Sequence, residues 1–318
     1  MAHTTTTRNL SGQESPLVLT ELGRVRFDLS KTVWLWGMLL PGLLVGIPNA
    51  AFTPIAVSLL LTFFTLCLGH SVGLHRGIIH QAYKMGPKTR AILVYLAVLS
   101  GLGGPLSWIR MHAVRDYWQN RGDCPRLFAY NHSLFRDFFW NLHLRFEPAD
   151  DRANCRLADS VLTDRWLRFL EATWPIHNLL LAVPVYLWLG PGGTAICICA
   201  RTAGGILGHW AVGYASHVFG EQPHVVLGAK ESGTNNWLLG VFSFGEGFHN
   251  NHHAYPWSAR MGSMPWDIDL GWYVVRGLEK VGVIHEIRNA FGGWQGQFTD
   301  PGAVSSPGAQ WATEPADR

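Results

Sequence analysis

Three histidines and a glutamate crowd the stretch FGEGFHNNHHAYP, residues 244–256. His249, His252 and His253 have the i, i+3, i+4 spacing that puts side chains on one helix face, so in a helix their imidazoles converge. GHSVGLHRGIIHQAY adds His70, His75 and His80. RMHAVRDYWQN adds His112, with Asp116 one helical turn on, and GHWAVGYASHVFG adds His209 and His217. Neutral imidazole suits iron, copper and zinc. A single zinc would need only four ligands. Seven or more histidines from four segments therefore point to two metal ions. His75 and His80 are the awkward pair: five apart, they lie about 140° apart on an ideal helix. They must flank the site from two directions or sit where their helix ends.

Other metal chemistries fit less well. Glu246 and His249 form one Glu-x-x-His, whereas a carboxylate-bridged di-iron bundle uses that motif twice with two further glutamates. No HExxH pattern is present, so a metalloprotease is not indicated.

An apolar chain must position these residues. Of 318 residues, 48 % are hydrophobic and 15 % charged, against about 25 % charged in a soluble domain. Fifteen tryptophans suit the aromatic belts of a membrane protein. Four segments are apolar enough to cross or enter a bilayer: 32–48, 52–74, 174–189 and 194–214. A span takes about 20 residues, and the first and third are short and contain proline. Uncharged NAA and GPGG connections join the segments in pairs, and nearly every Lys and Arg lies at the other ends. The positive-inside rule then puts both tips outside and both termini, with the histidines, in the cytoplasm. Arg76 and Lys84 could meet a CoA or phospholipid phosphate, but cytoplasmic-side basic residues are ordinarily part of that topology signal. A fifth stretch, 91–108, is Gly-rich and ambiguous in length. Were it to span, His112 would face the side opposite His75 and His80, so it is expected not to. Residues 120–172 read as cytoplasmic or interfacial helices.

The expected organisation is a membrane domain over 31–290 between disordered tails at 1–30 and 296–318. The first tail has no apolar run of a cleavable signal, and the second is rich in Pro, Gly, Ser and Ala. A net charge of +3 without a basic block argues against nucleic acid as a partner. Five cysteines without a CxxC pair suggest a reducing compartment.

Together the motifs resemble the membrane fatty acid desaturase family, the acyl-CoA delta-9 type and its bacterial relatives, across about residues 30–285. HRGIIHQAY is similar to the family's HxxxxH box. GEGFHNNHHAYP is similar to its HxxHH third box almost residue for residue. HWAVGYASHVFG resembles the segment that carries Asn-x-x-x-His, and MPWDIDLGW a following Trp-x-x-Asp segment. The resemblance implies an all-α integral membrane protein with four transmembrane helices in two hairpins and a cytoplasmic helical cap holding a His-rich dimetal site. It implies two Fe ions, with O2 as co-substrate, that remove two hydrogens from a fatty acyl chain carried on CoA, carrier protein or phospholipid. The implied setting is a bacterial inner membrane and its lipids. No cytochrome b5-like segment lies in the chain, so electrons are expected from a separate ferredoxin, rubredoxin or cytochrome b5 with its reductase.

The implied metal ligands are His75, His80, His112, Asp116, His217, His249, His252 and His253. Two departures stand out. The second box, expected as HxxHH, reads His112-x-x-Arg115-Asp116, and the family's Asn is Gly213. Asp116 could replace a lost imidazole, and His70 or His209 could supply or support another. The plainer alternative is an Arg115–Asp116 ion pair with His70 and His209 as hydrogen-bonded helix residues. A second box of this type fits a divergent bacterial branch. One alternative activity is a membrane di-iron hydroxylase acting on an alkane, fatty acid, sterol or carotenoid. A b-haem electron-transfer protein and a degenerate lipid-binding member are the others.

Overall fold

The computed structural model describes residues 23–122, 124–148 and 159–291. The tail expected at 296–318, and residues 1–22 of the one expected at 1–30, lie outside the described residues. The described chain is mostly helical. In order, the main helical runs are α1 (Leu29–Asn49), α2 (Phe52–Ile79), α3 (Pro87–Val98), α4 (Pro105–Gln119), α5 (Leu134–His143), α6 (Arg165–Val218), α7 (Trp237–Phe242), α8 (His249–Ala254) and α9 (Leu270–Lys280). Two short antiparallel strand pairs qualify the all-α expectation. Gly23–Phe27 pairs with Leu144–Pro148, and Lys84–Met85 with Ile284–His285.

Three runs, α1, α2 and α6, are long and apolar enough to cross a bilayer. Their outer faces expose Leu44, Leu59, Leu180 and Leu187, an apolar surface suited to lipid rather than water. At Gly190 the backbone of α6 leaves helical geometry, with φ 67° and ψ −171°. Val185 before this break packs against Cys197 and Ile198 after it, so the two arms of α6 lie side by side. A Cβ on Gly192 would stand 2.7 Å from the Cβ of Asn49, which sets the bend of α6 against the α1–α2 turn.

Small residues bring these helices close. Cβ atoms on Gly42 and Gly46 would lie 2.8 Å from Ala200 Cα and 3.2 Å from the Ala195 carbonyl carbon. GLLVG is thus a small-xxx-small contact of the kind that lets membrane helices meet backbone to backbone. Gly69 and Gly73 do the same for α3: their Cβ atoms would be 2.3 Å from Ala97 N and 2.6 Å from Leu93 Cβ.

The ambiguous stretch 91–108 is two short helices, not one long one. α3 has 12 residues and α4 has 15, below the about 20 that a span requires. Irregular backbone packed among apolar helices needs protein partners for its polar groups, and the turn between α3 and α4 has them. Asn178 Nδ2 donates to Val98 O at 3.0 Å, Arg201 Nη2 to Leu99 O at 3.0 Å, Trp34 Nε1 to Gly101 O at 2.8 Å and Trp108 Nε1 to Leu102 O at 3.0 Å. The chain can therefore reverse here, and α4 returns His112 to His75.

Candidate metal centre

The histidines gather into two adjacent groups. His75, His80, His112 and His252 form one, and His217, His249 and His253 the other; within each, the ligand-type nitrogens lie within 4.8 Å of one another. His75 Nε2 is 2.9 Å from His112 Nε2 and 3.1 Å from His80 Nε2. The difficulty of the five-residue spacing is resolved by local winding. The second half of α2, Phe63–Ile79, takes wide π-type turns, and the His80 N–H donates to the His75 carbonyl, five residues back, at 3.0 Å. Such turns bring i and i+5 onto one face and recur at functional sites. The helix ends at His80, so its ring folds back beside His75.

The third box is a single helix, α8, serving both groups. His252 turns to the first, His249 and His253 to the second. The two asparagines between them anchor the helix. Asn250 Nδ2 donates to the carbonyls of His224 and Ser232, at 3.0 and 2.8 Å, and its Oδ1 accepts from the His224 N–H at 2.8 Å. Asn251 Nδ2 donates to Met261 O at 2.7 Å, and its Oδ1 accepts from Asn235 Nδ2 at 2.8 Å. Ahead of the box, Gly245 has φ +101°, and a Cβ there would collide with Asp269 Oδ1 and Arg76 Nη2. Only glycine lets the chain pass so close to that ion pair.

Carboxylates stand behind the first group. Glu246 Oε2 is 2.8 Å from His75 Nδ1, and Asp116 Oδ2 is 3.0 Å from His112 Nδ1. Both are ion-pair distances; the Asp116 contact is off hydrogen-bond geometry, so His112 Nδ1 has no hydrogen-bond partner among the described residues, and an outer carboxylate in line with Nδ1 would fix its proton there. Ser71 Oγ donates to Glu246 Oε1 at 2.5 Å. Beneath them, Arg76, fully buried, binds Asp269 Oδ1 at 3.0 Å and the carbonyls of Phe244 and Ala259 at 2.8 and 3.0 Å. Asp269 also accepts from the N–H groups of Trp272 and Met261, at 2.9 and 2.8 Å. One ion pair thus ties α2 to both the third box and the start of α9.

Burial sets the protonation states. Burial, reinforced by neighbouring imidazoles, holds His80, His249 and His252 well below the ordinary 6.5 and His253 at about 4. Burial would lower His112 too, but the Asp116 carboxylate outweighs it and raises it. Burial opposes the charge on Asp116; His112 outweighs it and holds the carboxyl below the usual carboxylate range.

This donor set fits metal ions. His75 Nε2 and His112 Nε2 face each other at 2.9 Å, with a carboxylate near each Nδ1, so both rings aim a ligand-type nitrogen at one point. His217 Nε2 and His252 Nδ1 are buried without a hydrogen-bond partner among the described residues, and buried polar atoms ordinarily have one. Two imidazole-rich groups side by side suit a pair of borderline metals such as iron.

Comparison with known proteins decides the lineage: the profile of the family described as "Fatty acid desaturase" matches residues 48–268. The chain belongs to the fatty acid desaturase family. Similar relatives include Acyl-CoA 5-desaturase AL21 of Anemone leveillei, 28 % identical over 72 % of this chain and 70 % of that one. Delta-9 desaturase-like 5 protein of Arabidopsis thaliana is 30 % identical over 67 % and 70 %. The sn-1 stearoyl-lipid 9-desaturase of Anabaena variabilis is 27 % identical over 81 % and 93 %. This desaturase is accordingly an oxidoreductase of lipid metabolism.

The departures from the family pattern now have places. Asp116 sits beside His112, outside both histidine groups at the 4.8 Å separation. Arg115 does not pair with it; Nη1 donates to Tyr130 Oη at 2.8 Å and Nη2 to Asn141 Oδ1. His70 and His209 also lie outside both groups. Their rings meet edge to face at 5.2 Å, with Trp108 at 4.8 and 4.5 Å. Arg76 is buried and clamped to Asp269, whereas Lys84 is exposed and pairs with Glu286 at 2.5 Å. Asn236 caps α7, accepting from the Leu239 N–H at 3.1 Å. Sequence reasoning missed Glu246 and Asp269 as partners of α2. The glycines around Glu246 and the Trp-x-x-Asp segment were the available signals.

Proposed function

We propose that this desaturase introduces a double bond into a fatty acyl chain at a di-iron centre, consuming O2 and two electrons. The balance is –CH2–CH2– plus O2, two electrons and two protons to –CH=CH– plus two waters. The observation that carries this reading is the convergence of His75, His80 and His112 through Nε2, with carboxylates on the far nitrogens of two of them. The proposed ligands are His75, His80, His112 and His252 for one iron and His217, His249 and His253 for the other. Asp116 is the proposed eighth ligand. One of its oxygens orients His112, and its charge acts on His80 and His253 as well, which suits the iron with only three imidazoles.

When bound, the two irons supply the oxidising power to break unactivated C–H bonds. The chain supplies the rest. Glu246 lies beside His75 Nδ1 and Asp116 beside His112 Nδ1, each placed to orient its ring, and the Arg76–Asp269 pair holds α2 against the start of α9. The proposed arrangement is four spans in two hairpins, with α6 counted as two, and a cytoplasmic cap that includes the metal site. Support comes from the break at Gly190 and from the bend of α6 lying against the α1–α2 turn. Both termini are proposed to lie on the cytoplasmic side of a bacterial inner membrane. The acyl group would ride on CoA, carrier protein or phospholipid, and a separate ferredoxin, rubredoxin or cytochrome b5 with its reductase would supply electrons.

The test is expression in a bacterial host with a co-expressed electron donor, followed by mass spectrometry of the lipids with double-bond localisation. A new double bond, absent with His80→Ala, is expected. A hydroxylated product retaining label from isotopic O2 would favour the hydroxylase instead.

A further inference from the structure

The two departures from the family's ligand pattern, Arg115 and Gly213, are far apart in sequence but meet at one side chain, Tyr130. Its ring lies nearly flat on the ring of His217, with centroids 4.0 Å apart and planes 18° apart. Its hydroxyl accepts from Arg115 Nη1 at 2.8 Å. A Cβ on Gly213 would stand 3.6 Å from that hydroxyl, in ordinary contact, so any longer side chain at 213 would compete with the phenol for the same space. The backbone end of Tyr130 is tied as well, its N–H donating to Glu231 Oε1 at 3.2 Å. His217 is therefore held on its edge by the Gly213 carbonyl, 2.7 Å from Nδ1, and on its face by Tyr130. Its Nε2, buried and without a partner among the described residues, is left free to bind metal.

We propose that Tyr130 is a positioning residue of the three-histidine subsite. Its ring, clamped by Arg115, fixes the plane of His217 and fills the volume that an asparagine at 213 would take. Arg115, standing where the second box is expected to supply an imidazole, thus serves the same subsite indirectly. Among the described residues no ion-paired carboxylate stands behind this subsite as behind its neighbour, and an aromatic plate takes over the orienting task. Partners that orient ligands change metal affinity by about 10- to 100-fold when removed.

The proposal rests on the reading of the two histidine groups as metal sites. The test titrates the full-length protein in detergent with Co(II) and with Fe(II) under anaerobic conditions, reading metal per chain and the Co(II) visible spectrum. Wild type should bind two metals. Tyr130→Leu should keep the first and weaken the second by about 10- to 100-fold, with a changed Co(II) spectrum. Tyr130→Phe, which keeps the ring, should bind both. Tyr130→Leu combined with Gly213→Asn should regain the second metal. A wild type that binds no metal sinks the reading of the groups and this inference with it. If wild type binds two, three results overturn the role of Tyr130 alone: an unchanged Tyr130→Leu, a loss of both metals together, or a Tyr130→Phe as defective as Tyr130→Leu.

Discussion

Glu246 Oε2 lies 2.8 Å from His75 Nδ1, joining residues 171 positions apart in sequence, and so points His75 Nε2 at His80 and His112. Glu246→Gln should lower affinity for the first metal by about 10- to 100-fold, because an amide orients the ring but no longer strengthens it as a base. Anaerobic metal titration measures this directly. An affinity equal to wild type would remove Glu246 from the account.

Asp116 serves as the second carboxylate. Asp116→Asn should leave the chain folded yet reduce bound iron, with the larger loss at the three-histidine subsite if Asp116 is a ligand there. Iron analysis beside Co(II) spectra of Asp116→Asn and Asp116→Ala separates the possibilities. A loss confined to the four-histidine subsite would show that Asp116 acts only through His112.

The Arg76–Asp269 pair is buried at both ends. Asp269→Ala would leave the buried guanidinium only the more distant Glu246 carboxylate at 3.9 Å and the carbonyls of Phe244 and Ala259, and should cost up to about 3–5 kcal/mol. Thermal unfolding in detergent should show a lowered Tm even without metal. Gly69→Ala tests the packing of α2 on α3. Its Cβ would be 2.3 Å from Ala97 N, a backbone atom that cannot move aside cheaply, and overpacking of this kind costs about 1–3 kcal/mol.

Acid should destabilise the metal-free protein. His253 is depressed to about 4 from 6.5, and His80, His249 and His252 lie well below 6.5. Between those values the unfolded chain binds more protons than the folded one, so stability rises with pH there. The contribution is present above pH 6.5 and lost as pH falls through about 4. His112, raised by Asp116, contributes in the opposite sense, at pH below its folded value, and is outnumbered. A metal-free Tm that stays flat from pH 7 to about 4 would contradict this balance.

Much of this was readable in the chain. Hydropathy located the long helices because lipid-facing residues such as Leu59 and Leu180 must be apolar whatever the fold. The spacing of His249, His252 and His253 was legible because α8 is an ordinary helix. His75 and His80 were legible as a pair that must flank the site or sit at a helix end, but not how they meet, since ideal helical geometry separates them and π-type winding reunites them. Glu246 and Asp269 stand 171 and 193 positions from the α2 residues they pair with, His75 and Arg76, so no local pattern links them to it. The role of Tyr130 depends on a ring face and on space left empty at Gly213, neither of which a motif encodes.

The most direct test is the metal content of the purified protein after anaerobic iron loading. Two irons per chain and no Soret band are expected. His80→Ala should lose the iron of the four-histidine group and His253→Ala that of the three-histidine group. Wild-type protein holding less than one iron per chain after loading, or one whose iron is haem, would contradict the di-iron reading.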